Sequence, residues 1–200
     1  MGGLEVSKVI LASKSPRRRE LLTQIGIEYE CIVSDTEEII TETEPDKVVC
    51  RLSEEKAMAV AGNYDVNSVS ERIIFIGADT VVARDLQILG KPVSVEDAVD
   101  MLMSLQGKEH QVYTGVCILV YESGRLINKI SFAECTNVYM YATSKEDIKE
   151  YVASGEPMDK AGAYGIQGLG AVLVEKIEGD YNNVVGLPVG RIYREIKNYL

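Results

Sequence analysis

Histidine occurs once among the 200 residues, at position 110. That excludes a histidine-rich metal cluster, and any mechanism with a histidine base would have to use His110. Its neighbours Lys108-Glu109 read as a polar turn, so it is expected to be structural or exposed. Cysteine is sparse too. Cys31, Cys50, Cys117 and Cys135 are too widely spaced for a Cys-x-x-Cys metal or redox pair. Each lies in an apolar segment and is expected to be a buried, reduced thiol. No stretch approaches ~18 uninterrupted apolar residues, which speaks against a membrane span. No signal-peptide pattern, repeat, low-complexity tract or linker is evident. Positive charge is also short: the net charge of −10 argues against a general nucleic-acid binder, whose surface must be basic. There is no Gly-Lys-Ser/Thr of a P-loop, no dinucleotide fingerprint and no nucleophile elbow. The expectation is a soluble, cytoplasmic domain over residues 1–200, long enough to bury a full core.

What is present alternates between strand and helix patterns. Val9–Ala12 is an apolar run that reads as part of a buried strand over 8–12. Helices are predicted over 16–25, 45–61 and 95–106, the last opened by a capping box Ser94-x-x-Asp97 and ended by Gly107. Residues 28–34 read as an alternating strand. Residues 72–83 form a β-rich run, followed by a short strand to Leu89. Long strands are expected over 112–121 and 126–141 around the turn Glu122-Ser123-Gly124. Thr143-x-x-Glu146 caps a short helix. Then come a strand over 171–178, an extended piece at 182–185 and a last helix after Pro188. This order predicts an α/β (α+β) fold with a mixed, strongly twisted sheet flanked by helices, without the strict repetition of a doubly wound fold.

Arg17, Arg18 and Arg19 occupy the first turn of the helix that Ser15-Pro16 opens. Ser15 offers a capping hydroxyl, and proline suits the first helical position. A helix N-terminus already carries partial positive charge and free N–H groups. Three guanidinium groups there conflict with it unless a multiply charged anion is bound, which points to a phosphate.

Asp79 stands inside the apolar run Ile73–Val82. Either a bulge exposes it, or the carboxylate faces a cleft where it binds a metal or deprotonates water. Gly77 and Ala78 before it would let a ligand approach the backbone. Lys56 shares the apolar stripe of its helix with Val49, Leu52, Ala59 and Val60; it either snorkels at the edge or reaches a phosphate. Arg51 is expected to pair with Glu55 one turn on. Glu37 and Glu38 are either solvated or supply a second oxygen ligand to magnesium beside Asp79. Residues 155–170 are dense in glycine, as in a loop packed close to a ligand or to other backbone, and Gln167 there either reads a base edge through its amide or is a surface residue.

In family order, the chain carries Leu11-Ala12-Ser13-x-Ser15-Pro16-Arg17-Arg18-x-Glu20-Leu21-Leu22, then Arg51-Leu52-x-x-x-Lys56-Ala57. Gly77-Ala78-Asp79-Thr80-Val81-Val82 and Gly90-Lys91-Pro92 follow. Gly155-Glu156-Pro157-x-Asp159-Lys160-Ala161-Gly162-Ala163-Tyr164-Gly165-Ile166-Gln167-Gly168-x-Gly170 and Val184-Val185-Gly186-Leu187-Pro188 complete the set. With these blocks the chain resembles the Maf family of nucleoside triphosphate pyrophosphatases, related in fold to the inosine triphosphate pyrophosphatases.

The resemblance implies one domain of two lobes around a central active-site cleft. It implies hydrolysis of a nucleoside triphosphate between its α and β phosphates. Asp79 then matches the proton acceptor, and Glu38 its partner at a site for Mg²⁺, with Mn²⁺ or Co²⁺ as alternatives. This chain has Glu37-Glu38 where many relatives have Asp-Glu. Ser13, Arg18, Lys56 and Lys91 match positions that contact phosphate or the active site. Arg17, Thr80 and Gln167 match the triplet of the subgroup acting on dTTP and UTP, with CTP and modified pyrimidine nucleotides as further substrates. A homodimer and a role in clearing unwanted nucleotides are implied. The alternative is a nucleotide-binding regulator of septum formation that needs no turnover.

Overall fold

The computed structural model describes residues 7–33, 42–67 and 71–200. Its centre is β3 (Ile73–Arg84), whose near-continuous apolar run is buried on both faces, as expected of a strand covered on each side. Five further strands extend the sheet. These are β1 (Lys8–Ala12), β2 (Glu30–Cys31), β5 (Glu109–Glu122), β6 (Arg125–Met140) and β7 (Val174–Glu178), in the order β2-β1-β3-β5-β6-β7. A short β4 (Gln87–Leu89) folds back antiparallel onto the end of β3. β1 runs parallel to both β2 and β3, whereas β3, β5, β6 and β7 are successively antiparallel. The sheet is therefore mixed, twisted as extended chains of L-residues are. The β5–β6 hairpin turns at Ser123 and Gly124, both with left-handed φ, which matches the twist of the strands it joins.

Alternation along β3 sorts its side chains between two helical layers. Ile74, Ile76 and Ala78 pack with Leu21 and Leu22 of α1 (Pro16–Gln24) and with Ile192 and Ile196 of α6 (Val189–Ile196). Ile73 and Phe75 face the other way, onto Ala57, Val60 and Ala61 of α2 (Pro45–Asn63). Beyond the middle of β3, Val82, Val112, Val138 and Met140 pack with Leu102 and Leu105 of α3 (Val95–Leu105) and with Ile148 and Val152 of α4 (Lys145–Ala153).

Two glycines bring α2 close to the sheet. A Cβ on Gly77 would lie 2.2 Å from the Ser53 carbonyl, and one on Gly115 would lie 2.2 Å from the Val49 carbonyl. Gly77 thus makes room for a helix backbone and not, as the sequence suggested, for a ligand. Alanine at either position would force the helix off the sheet.

Several local expectations shift. Among the described residues, the alternating pattern of 28–34 yields only two paired residues on the sheet edge; it reflects Tyr29 and Ile32 packing against the core, without a longer ladder. Residues 182–185 fall in a short helix, α5 (Tyr181–Val185), because the Asp180 side chain accepts from the Asn182 amide at 2.8 Å. α4 is capped by Ser144, which accepts from the Asp147 amide, and not by Thr143. The strand expected from 171 starts at Val174, after a 3-10 turn. Cys117 is buried as expected, but Cys31 and Cys135 are exposed and Cys50 is intermediate. Cys31 lies on the edge strand and Cys135 on an outward position of β6. His110 is fully buried, since Glu109 opens β5 and does not form a turn.

Candidate active site

β3 and the two helices that cover it stop short of one another around a cavity of about 790 Å³, within the size range of small-molecule sites. Asp79 sits on the α2 side of β3, paired with Gly115 in an unbroken ladder. The bulge alternative is thereby excluded. Its carboxylate is held by Lys56, whose Nζ lies 2.5 Å from Oδ1. Gly77 and Gly115 make that contact possible, because they seat α2 close enough for Lys56 to reach the strand. Asp79 is 8% exposed, and no described residue bonds its second oxygen, Oδ2. A strand carboxylate with one oxygen fixed and one available suits proton transfer or cation binding.

Thr80 points to the opposite side of β3, toward α1. There Arg18 turns inward and is 9% exposed. Its Nε donates to the Gly186 carbonyl at 2.8 Å, Nη1 to the Ala78 carbonyl and to Ser13 Oγ, and Nη2 to Thr80 Oγ1 at 3.0 Å. Thr114 Oγ1 donates to the Asn183 carbonyl and lies 2.9 Å from Thr80 Oγ1. One guanidinium thus ties the β1–α1 turn, the mid-point of β3 and the Gly186 turn together around the cavity. Ser13 accepts from the Ser15 amide and is itself nearly buried. Ser15 is extended but makes no side-chain capping bond, contrary to the expected hydroxyl cap.

The three arginines of α1 have different surroundings. Arg18 is embedded, Arg17 lines the cavity, and Arg19 lies outside it. Arg17 Nη1 pairs with Asp159 Oδ2 at 2.9 Å, bridging 142 positions of sequence. Lys160 Nζ holds the other oxygen of Asp159 at 2.8 Å. Burial alone would push the Asp159 carboxyl up, but Lys160 and Arg17 keep it below the usual carboxylate range. Lys91, which follows β4, and Gln167 also line the cavity. Ser13, Arg17, Arg18, Lys56, Asp79, Thr80, Lys91 and Gln167, all singled out from the sequence, therefore border one space, from which Arg19 is left out. Arg51 pairs with Glu55 as expected, and also with Glu42.

Glu37 and Glu38 lie outside the described residues. Among the described residues, no group of three or more His, Cys, Asp or Glu side chains could hold a metal. Among the described residues that line the cavity, Asp79 is the one with an available carboxylate oxygen. That fits a hard divalent cation of the magnesium type, which takes one or two carboxylates and completes its shell with phosphate oxygens and water. Asp159, Lys160 and Thr114 were not singled out from the sequence. The charged pair Asp159-Lys160 inside the glycine-rich segment 155–170 is a signal that could have found the first two.

Residues 8–199 match the profile of the Maf-like protein family. The chain belongs to that family. This Maf-like chain is 50% identical over 199 residues to the dTTP/UTP pyrophosphatase of Agathobacter rectalis, covering 96% of this chain and 97% of that protein. It is 44% identical over 192 residues to the dTTP/UTP pyrophosphatase of Lachnoclostridium phytofermentans, covering 96% and 95%. Among solved structures, it is similar to a nucleoside-triphosphatase / dITP/XTP pyrophosphatase from Mycobacterium abscessus at a TM-score of 0.42 and 10% identity, covering 96% and 97% of the two chains. No helix among the described residues of the Maf-like chain is long and apolar enough to cross a membrane.

Proposed function

We propose that this Maf-like chain hydrolyses dTTP and UTP, with CTP and modified pyrimidine nucleotides as further substrates, to the monophosphate and pyrophosphate. The observation that carries the reading is the Lys56–Asp79 pair, whose available oxygen sits in a cavity bordered by further cations. The relatives named dTTP/UTP pyrophosphatase match nearly the full length of the chain and support the same substrates.

Asp79 is the proton acceptor. Lys56 fixes its carboxylate so that Oδ2 faces the reacting water. As the water oxygen bonds to phosphorus, a water proton passes to Asp79. The bond from that phosphorus to the α–β bridging oxygen breaks, and pyrophosphate leaves with the electron pair. A triphosphate carries about four negative charges, so positioning and charge neutralisation lower most of its barrier. Lys91 and the N–H groups of the β1–α1 turn, with Ser13, bind the phosphates. Arg18 keeps that turn in register with Thr80. Arg17, Thr80 and Gln167 contact the nucleoside and select pyrimidines. Asp79 and Glu38 would hold Mg²⁺, or Mn²⁺ or Co²⁺ in its place, which supplies further neutralisation of phosphate charge.

The chain works as one domain of two lobes around the cleft, related in fold to the inosine triphosphate pyrophosphatases. It acts as a cytoplasmic homodimer that clears unwanted nucleotides from the pool. The test is pyrophosphate release from a panel of triphosphates, methylated and pseudouridine forms included, with and without Mg²⁺. Turnover of pyrimidine triphosphates is expected. Tight binding with no product would favour the division regulator instead.

A further inference from the structure

Gln167 reaches the cavity on a strip of backbone that is rich in glycine, the residue with the least intrinsic stiffness. A side chain that discriminates between bases has to be held within a fraction of an ångström. The strip from Gly165 to Gly170 is braced by two side chains that do not line the cavity, Glu156 and Tyr151. Glu156 Oε2 accepts from the Leu169 amide at 2.8 Å. Its Oε1 accepts from the Gly170 amide and from the Tyr151 hydroxyl, both at 3.0 Å. The Tyr151 oxygen accepts in turn from the Gly165 amide at 3.3 Å. Amides on both sides of Gln167 are thus gathered onto one carboxylate and one phenol.

That phenol is anchored. Tyr151 is nearly buried on α4, whose Ile148 and Val152 belong to the α3–α4 core. The strip also closes on itself without room to spare. A Cβ on Gly170 would lie 2.4 Å from the Gly165 carbonyl and 2.7 Å from the Tyr151 hydroxyl. One on Gly168, which has a left-handed φ, would lie 2.6 Å from Glu156 Oε2. Burial would push the Glu156 carboxyl up, but the two amides and Tyr151 hold it below its usual range. The brace is therefore anionic and accepts charge-assisted bonds, which are stronger than neutral ones.

We propose that Glu156, together with Tyr151, is a positioning residue for base selection, holding the 165–170 strip so that Gln167 meets the base in one fixed orientation. This rests on the reading that Gln167 contacts the nucleoside base. It assigns Glu156 no contact with substrate and no part in the chemistry.

The test is a double-mutant cycle read as selectivity. Steady-state kcat and KM are measured for UTP and ATP with the wild type, Glu156→Gln, Gln167→Ala and the double variant. Glutamine keeps the shape of Glu156 but loses the charge and cannot accept at both of its terminal atoms. Glu156→Gln should raise KM for UTP about tenfold, the scale of one lost charge-assisted hydrogen bond. Its kcat should stay within about twofold, and the UTP-over-ATP preference should drop toward that of Gln167→Ala. The double variant should be no less selective than Gln167→Ala alone.

Equal losses for UTP and ATP in Glu156→Gln, with selectivity kept, would overturn the proposal. If Gln167→Ala loses selectivity while Glu156→Gln retains it, only the brace is refuted. If Gln167→Ala itself keeps full selectivity, the base-reading role fails and the brace falls with it. Should Glu156→Gln not fold, Tyr151→Phe decides: a smaller loss of selectivity in the same direction supports the proposal, and unchanged selectivity refutes it.

Discussion

Two carboxylates border the same cavity and are held in different ways. Asp79 sits on the central strand, nearly buried, with Lys56 on one oxygen and no described partner on the other. Asp159 sits on a 3-10 turn (Glu156–Asp159) with its side chain 61% exposed, and both its oxygens are occupied, by Arg17 and Lys160. The first is rigid and has capacity left for chemistry. The second has its acceptors satisfied and ties α1 to the glycine-rich strip. Carboxylates in one site can thus divide their roles by backbone setting and hydrogen-bond saturation.

Substitution of Asp79 should have the largest effect. Asp79→Asn should lower kcat at least ~100-fold, the scale of losing a general base, in a stopped assay of pyrophosphate release. Near-normal turnover would remove it from that role and erase the contrast with Asp159.

Acid should act next, on the wall that carries Asp159. Tyr164, which lines the cavity, has its hydroxyl 2.7 Å from His110 Nε2, and burial pushes His110 down to about 4. The native state therefore keeps His110 neutral, whereas the unfolded chain takes up a proton below about pH 6.5. Stability present above pH 6.5 is lost as the pH falls through the native value near 4. The loss between pH 6.5 and 5 should be about 2 kcal/mol, measured by urea unfolding. His110→Gln should be less stable at pH 7 and show a flatter pH dependence. An equally steep one would refute the assignment.

Lys56→Met should cost about tenfold in kcat, since Asp79 then loses its orienting charge-assisted bond. Full activity would show that the strand alone orients the carboxylate. Asp159→Asn should have the smallest effect, a roughly threefold rise in KM with kcat unchanged, because an exposed ion pair contributes little. A loss as large as that of Asp79→Asn would break the comparison from the other side.

Much of this architecture is legible in local sequence, and the reason is chemical. β1, β3 and β5 carry apolar runs and β6 alternates between apolar and polar residues, patterns that admit few alternatives, and α3 carries its cap in Ser94. Asp79 and Lys56 stood out because each breaks an apolar pattern. The short elements did not, because single side-chain-to-backbone bonds decide them: Asp180 turns 181–185 into helix, and Glu156 folds the strip after it. The pairing of Arg17 with Asp159 spans 142 positions, so no local pattern encodes it. The inward turn of Arg18 depends on acceptors from three separate segments, the Gly186 turn, β3 and Ser13. Buried and exposed cysteines look alike in sequence because alternation on β6 is set by which face the helices cover.

The most direct measurement is ³¹P NMR of UTP incubated with Mg²⁺ and either the wild-type chain or Asp79→Asn. Growth of UMP and pyrophosphate signals in step with wild-type enzyme, and their near absence with the variant, is the predicted result. Formation of UDP and inorganic phosphate, or undiminished pyrophosphate from Asp79→Asn, would contradict it.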